Sequence, residues 1–118
     1  MSGQSDQSLD LLLDLDGTVM VVDPAGGHWV RFVVRRVPAS GARPHGLAYS
    51  LTLHGPDGGR LVGFDNVHPV DGQRQGGPQD HRHRTASVRP YAYQDAATLL
   101  QDFWATVDAV LKERGVIP

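Results

Sequence analysis

The chain has 118 residues, of which 40% are hydrophobic and 20% charged, a composition typical of a globular domain long enough to bury its own core. It contains no cysteine, which excludes disulfide bonds, thiolate zinc sites and a cysteine nucleophile. The start is polar, and no apolar run approaches the roughly 20 residues that span a bilayer, so a cytoplasmic protein is expected.

The formal net charge of −2 conceals an uneven distribution of charge along the chain. Residues 1–30 carry five aspartates and no basic residue, whereas residues 31–89 carry nine arginines against four aspartates. Arginine presents a planar fork that can bind phosphate at two points. The arginine-rich middle therefore suits an anionic partner such as RNA, although solvated edge strands also carry arginine.

The first half of the chain is predicted to consist of strands. Residues 9–14 and 18–22 are predicted to form a hairpin around Asp16-Gly17, because both positions of such a turn tolerate a positive φ. Three further strands, along which apolar and polar residues alternate, are predicted at 28–37, 47–54 and 60–66.

The second half is predicted to hold a loop and then a helix. Residues 67–79 are polar and glycine-rich and are predicted to be flexible, as are residues 1–8. The helix is expected to be capped by Asp95 and ended by Gly115. Its apolar stripe comprises Leu99, Leu100, Phe103, Trp104, Val107, Val110 and Leu111. These elements predict a single α+β domain over residues 1–118, with an antiparallel β-meander of about five strands packed against one long C-terminal helix.

The densest group of reactive side chains lies at residues 80–84 (DHRHR), and Asp65 and His68 lie near the end of the preceding strand. Two interpretations of this group involve no RNA chemistry. In the first, Asp65, His68, His81 and His83 are metal ligands, since two histidines at i and i+2 could share an ion with a carboxylate. No strict metal signature is matched, so neither a metal nor another cofactor is predicted. Alternatively, the run is a solvated polar loop.

A third interpretation, cleavage of RNA without a metal, uses most of these side chains. A base removes the proton of a 2′-hydroxyl group and an acid protonates the departing 5′-oxygen. His81 and His83 are the predicted pair, because imidazoles titrate near neutral pH. Asp65 is expected to orient a histidine, and Arg82 or Arg84 to stabilise the phosphorane. The predicted substrate-binding residues are Arg84, Tyr91, Arg31 and Arg35.

Several short motifs follow one another in order between about residues 9 and 114. They are Arg36-Val37-Pro38, Pro44-His45-Gly46, Tyr49-Ser50-Leu51, Gly63-Phe64-Asp65-Asn66, Asp80-His81-Arg82-His83, Pro90-Tyr91 and the helix at 99–111. In this order the chain resembles the TumE family of small bacterial toxins from type II toxin–antitoxin modules. The resemblance implies a toxin that is neutralised by a helix-turn-helix antitoxin encoded beside it.

A different class of function is a non-catalytic module that binds nucleic acid or protein through Arg31, Arg35 and Arg36. Catalysis would depend on His81 and His83, whereas this binding would depend on the arginines and weaken steeply with salt. Exposed strand edges also make a homodimer an expected assembly.

Overall fold

The structure is a computed structural model that describes residues 8–67, 80–84 and 87–118. Apart from Val67, the predicted flexible loop 67–79 lies outside the described residues. The same is true of the predicted flexible start, apart from Ser8.

One antiparallel sheet contains six strands arranged in chain order. The strands are β1 (Val19–Asp23), β2 (His28–Arg36), β3 (Leu47–His54), β4 (Arg60–Asp65), β5 (His81–Arg84) and β6 (Ser87–Pro90). Two helices, α1 (Ser8–Asp14) and α2 (Ala96–Glu113), complete the described chain. The α+β prediction, with a meander and a C-terminal helix, is confirmed, and the sheet has six strands instead of about five.

The two faces of the sheet differ because successive side chains of a strand point in opposite directions. On β2, Val30, Phe32 and Val34 are buried, whereas Arg31 and Arg35 are exposed. β3 shows the same alternation over its whole length. We call the side that packs against α2 the core face and the opposite side the far face.

Helix α2 covers the core face with one apolar side. Asp95 caps the helix as predicted, and its carboxylate accepts a hydrogen bond from the Thr98 N–H at 2.7 Å. The Phe103 ring meets the Phe32 ring edge-to-face at 5.7 Å. Gly115 follows the helix with a φ of 73°, the left-handed conformation that glycine adopts without a side-chain clash. In the described part of the chain, neither helix is long and apolar enough to cross a membrane.

The predicted hairpin of residues 9–14 and 18–22 is wrong, because its first half is helix α1. Consecutive leucines fit a helical period as well as a strand. In the structure Leu12 is fully buried while Leu11 is 65% exposed, so helical spacing decides which leucine faces the core. Asp16 and Gly17 then join α1 to β1. The Asp16 carboxylate accepts a hydrogen bond from the Val34 N–H at 2.9 Å, which attaches this turn to β2.

Residues 81–84 and 87–90 form the hairpin β5–β6, which the sequence analysis did not predict. The polar composition of this segment resembles that of a loop, but β5 pairs with β4 along its whole length. Asp65 lies opposite His81 and Gly63 lies opposite His83. This pairing determines where the reactive side chains of β5 are placed.

Candidate active site

The candidate site consists of Asp65, His81 and His83 on the far face of the sheet. His81 and His83 are two residues apart on β5, so their side chains leave the same face of the sheet. Nε2 of His81 lies 2.8 Å from Oδ1 of Asp65, and Nε2 of His83 lies 3.5 Å from Oδ2 of the same carboxylate. The two rings meet edge-to-face at 4.7 Å. One carboxylate therefore faces two imidazoles, whereas the sequence led us to expect that Asp65 orients one histidine.

The carboxylate is unusually placed for a charged group. Asp65 is 4% exposed and His81 is 2% exposed, whereas the side chain of His83 keeps 13% of its surface. The short distance between Asp65 Oδ1 and His81 Nε2 is that of an ion pair. Nevertheless, this oxygen makes no hydrogen bond of good geometry to any residue in the described ranges. The short distance therefore shows that the two atoms converge, but it does not show a hydrogen bond.

Arg60 is a neighbour of the site that the sequence analysis did not single out. A Cβ atom added at Gly63 would lie 3.3 Å from Cδ of Arg60 and 3.5 Å from Cδ2 of His83, so both side chains occupy the space that glycine leaves free. Strict alternation would put Arg60 on the core face. A register shift pairs Leu53 with Val62 but the next residue, His54, with Arg60, which changes that alternation.

The electrostatic surroundings favour a neutral imidazole at His83. Burial lowers the pKa of His83 below its usual value, and the positive charge of Arg60 adds to this effect. The Asp65 carboxylate acts in the opposite direction without cancelling the shift. A neutral imidazole can accept a proton or bind a metal ion.

Arg82 and Arg84 lie on the opposite face from the histidines, because they alternate with them along β5. Arg84 pairs with Glu113 of α2. Together with Arg89, both arginines line a groove of about 360 Å³ between the β5–β6 hairpin and α2. The structure thus brings Asp65, His81 and His83 together and places these guanidinium groups on the core-face side.

Tyr91 also lies on the core-face side. Its ring packs edge-to-face against Phe64 at 5.0 Å, and its hydroxyl donates a hydrogen bond to Asp102 at 2.6 Å. Burial, with the hydrogen bond to Asp102 adding to it, raises the pKa of Tyr91. The structure does not bring this residue to the histidine cluster.

Arg31 and Arg35 lie on the far face together with the cluster. Arg31 is opposite Thr52, Thr52 is opposite Gly63, and Gly63 is opposite His83. Three strand spacings separate Arg31 from His83, or about 14 Å at roughly 4.8 Å per spacing. Both arginines are exposed. They therefore extend the positive charge of the far face away from the cluster.

The polar neighbours Asn66 and Asp80 mainly hold strands together. The Asn66 side chain accepts a hydrogen bond from the Tyr49 N–H at 3.0 Å and donates one to the Leu47 carbonyl at 2.7 Å. Asp80 accepts a 2.7 Å hydrogen bond from the Tyr49 hydroxyl, and burial raises the pKa of Asp80. His68, which the sequence analysis considered as a metal ligand, lies outside the described residues.

Replacing Asn66 with alanine is expected to destabilise the fold by about 1–3 kcal/mol, because the Tyr49 N–H and the Leu47 carbonyl are left buried without this partner. Urea unfolding of the variant measures the loss. Asn66→Asp is the matched comparison, since its side chain can accept the first hydrogen bond but an ionised carboxylate cannot donate the second. Unfolding midpoints equal to that of the wild type in both variants would contradict this structural role.

No curated protein and no solved structure gives a significant match to this chain. The family model described as toxin TumE matches residues 14–111. The matched span covers most of the chain and contains Asp65, His81 and His83. The match agrees with the resemblance found in the order of the sequence motifs. The chain therefore belongs to the TumE toxin family.

Proposed function

We propose that this toxin cleaves RNA and that Asp65, His81 and His83 form its catalytic centre. The observation that carries the proposal is the position of the Asp65 carboxylate, whose two oxygens lie 2.8 Å and 3.5 Å from the imidazoles of His81 and His83. An ionisable trio at one point of a sheet face is the arrangement that proton transfer requires.

The reaction joins the 2′-oxygen of a ribose to the adjacent phosphorus and releases the 5′-oxygen of the next nucleotide. One group takes the 2′ proton and another gives a proton to the leaving oxygen. The products are a 2′,3′-cyclic phosphate and a 5′-hydroxyl end. In the metal-free form that the sequence analysis predicts, His81 and His83 carry the two protons while Asp65 orients them. His83 is the more exposed imidazole, so it is the one assigned to direct contact with RNA.

Arginines around the cluster support an anionic substrate. Arg60 lies beside His83, where its charge would stabilise a negative phosphorane. Arg31 and Arg35 on the far face would bind phosphates further along the RNA. Arg82 and Arg84 would reach RNA that passes around the β5–β6 edge into the groove beside α2, which His83 also lines.

Membership in a toxin family implies an antitoxin partner. We propose that this partner is a helix-turn-helix protein, on the strength of the motif order alone. A non-catalytic toxin is the second candidate function. It is favoured by the exposure of Arg31, Arg35 and Arg36, which could bind an anionic target without any chemistry.

Growth after induction of the toxin alone in a bacterium tests the proposal. We expect the wild type to arrest growth and the double variant His81→Ala/His83→Ala, expressed to the same level, to leave growth normal. His45→Ala is the matched control, because His45 is an exposed histidine whose ring packs against Tyr93. It should arrest growth as the wild type does.

Equal arrest by the double variant would contradict the catalytic role of the histidines. In that case, substitution of Arg31 and Arg35 should relieve the arrest, as the binding alternative requires. Because His81 is buried, its replacement could unfold the protein. Soluble expression and an unchanged circular dichroism spectrum of the double variant would show that it is folded.

A further inference from the structure

We infer that Asp65, His81 and His83 form a binding site for a divalent transition-metal ion, with Zn²⁺ the best suited of the common ions. One ligand atom from each residue lies within 4.8 Å of the other two. Zinc is bound at about 2.0–2.2 Å by imidazole nitrogen and carboxylate oxygen, which places ligand atoms about 3–3.5 Å apart. Small rotations of the three side chains would therefore close the cluster around an ion.

The state of the Asp65 carboxylate supports this inference. An oxygen buried from solvent usually has a hydrogen-bond partner, because burial without one is costly. Oδ1 of Asp65 is buried, faces Nε2 of His81 at 2.8 Å, and makes no hydrogen bond of good geometry within the described ranges. A cation coordinated by this oxygen would give it a partner in addition to the imidazole of His81.

The residue types select the kind of ion. Imidazole nitrogen suits zinc, iron, nickel and copper, whereas magnesium and calcium prefer sites made of oxygen. Two histidines and one carboxylate are also the ligand set of many hydrolytic zinc sites, which keep a further position open. Within the described residues, this is the one such group of three ligands.

Arg60 is the neighbour of the cluster that could contact a further ligand of the ion. Gly63, opposite His83, has no side chain, and Arg60 lies over the space that it leaves. The guanidinium group raises the cost of holding a cation, but it also offers a partner to an anionic group bound at the open position. A phosphate oxygen of RNA has the required charge.

Zinc binding does not depend on RNA being the substrate, but it would change the roles of the two histidines in the reaction. If the two Nε2 atoms bind the ion, they cannot carry protons. The ion would then supply the base for the reaction, because a divalent ion lowers the pKa of a water that it binds. The sequence pattern predicted no metal because the i, i+2 spacing fixes nothing on a loop. β5 is a strand, and the strand makes the two imidazoles converge.

Zinc retention by the purified, untagged full chain tests the inference. The protein is stripped with a chelator, incubated with Zn²⁺ and desalted, and the bound zinc is counted. We expect one zinc per chain in the wild type and in His45→Ala. His83→Ala and Asp65→Asn should bind Zn²⁺ at least about 100-fold more weakly, since even the partners of metal ligands contribute 10- to 100-fold.

Thermal unfolding with and without Zn²⁺ gives a second measurement, because an ion that binds only the folded state raises the melting temperature. The wild type should show this rise and His83→Ala should not, although His83→Ala should fold, since His83 is partly exposed. Less than a tenth of a zinc per wild-type chain, or equal zinc retention by the variants, would overturn the inference. Absence of RNA cleavage would count against the proposed function and leave the zinc result unchanged.

Discussion

Replacing Asp65 with asparagine is expected to lower the rate of RNA cleavage by about 10²- to 10⁴-fold, because the two imidazoles lose the carboxylate that orients them and positioned acid–base groups usually contribute that much. The variant keeps the shape of the side chain but removes its charge. The Asp65 carboxylate approaches both imidazoles, so neither a proton relay nor a metal-bound form of the site keeps its geometry without it. The rate is measured with purified protein and total bacterial RNA.

Asp57→Asn is the matched control for this prediction. The Asp57 carboxylate accepts a hydrogen bond from the Gly59 N–H at 2.8 Å in an exposed turn, a role that asparagine also fills. Its cleavage rate should equal that of the wild type. If Asp65→Asn cleaved RNA as fast as Asp57→Asn, the assignment of the catalytic centre would be wrong.

Replacing Phe103 with alanine is expected to destabilise the fold by about 3–5 kcal/mol, the usual effect of deleting a buried aromatic ring. Phe103 has no exposed surface and meets the rings of Phe32 at 5.7 Å and Phe64 at 6.2 Å. Domains of this kind are typically stable by about 5–15 kcal/mol, so this variant should lose a large part of its stability. Urea unfolding measures the change.

Phe103→Leu separates loss of the aromatic ring from loss of volume, because leucine fills much of the same space. It should be less destabilising than Phe103→Ala. Phe64 lies next to Asp65 on β4, so the core also supports the candidate site. Equal stability of Phe103→Ala and the wild type would contradict the packing of α2 on the core face.

The sequence predicted the elements whose signals are local. β2, β3 and α2 carry clear apolar periods and the expected cap at Asp95, and they lie where the sequence predicts them. Helix α1 was missed because a short run of leucines fits both periods. Only its packing against the remainder of the core, with Leu12 inward and Leu11 outward, selects the helix.

The site could be predicted only in part, because its geometry depends on pairing between distant segments. The sequence singled out Asp65, His81 and His83, but their convergence follows from the antiparallel pairing of β4 with β5. Because residues 81–84 form a strand, Arg82 and Arg84 lie on the face opposite the histidines. A run of five polar residues does not predict this arrangement. Arg60 was missed because a register shift in β4 changes the face that it occupies.

Mapping of RNA ends after incubation with the purified toxin would show whether the protein cleaves RNA and whether cleavage depends on Asp65. Total RNA is treated with the wild type and with Asp65→Asn, and newly formed 5′-hydroxyl ends are sequenced. We expect discrete new ends with the wild type and almost none with the variant. Two results would contradict the proposed cleavage of RNA. In one, the wild-type protein arrests growth when it is expressed but leaves RNA intact when it is purified; in the other, both proteins cut RNA equally.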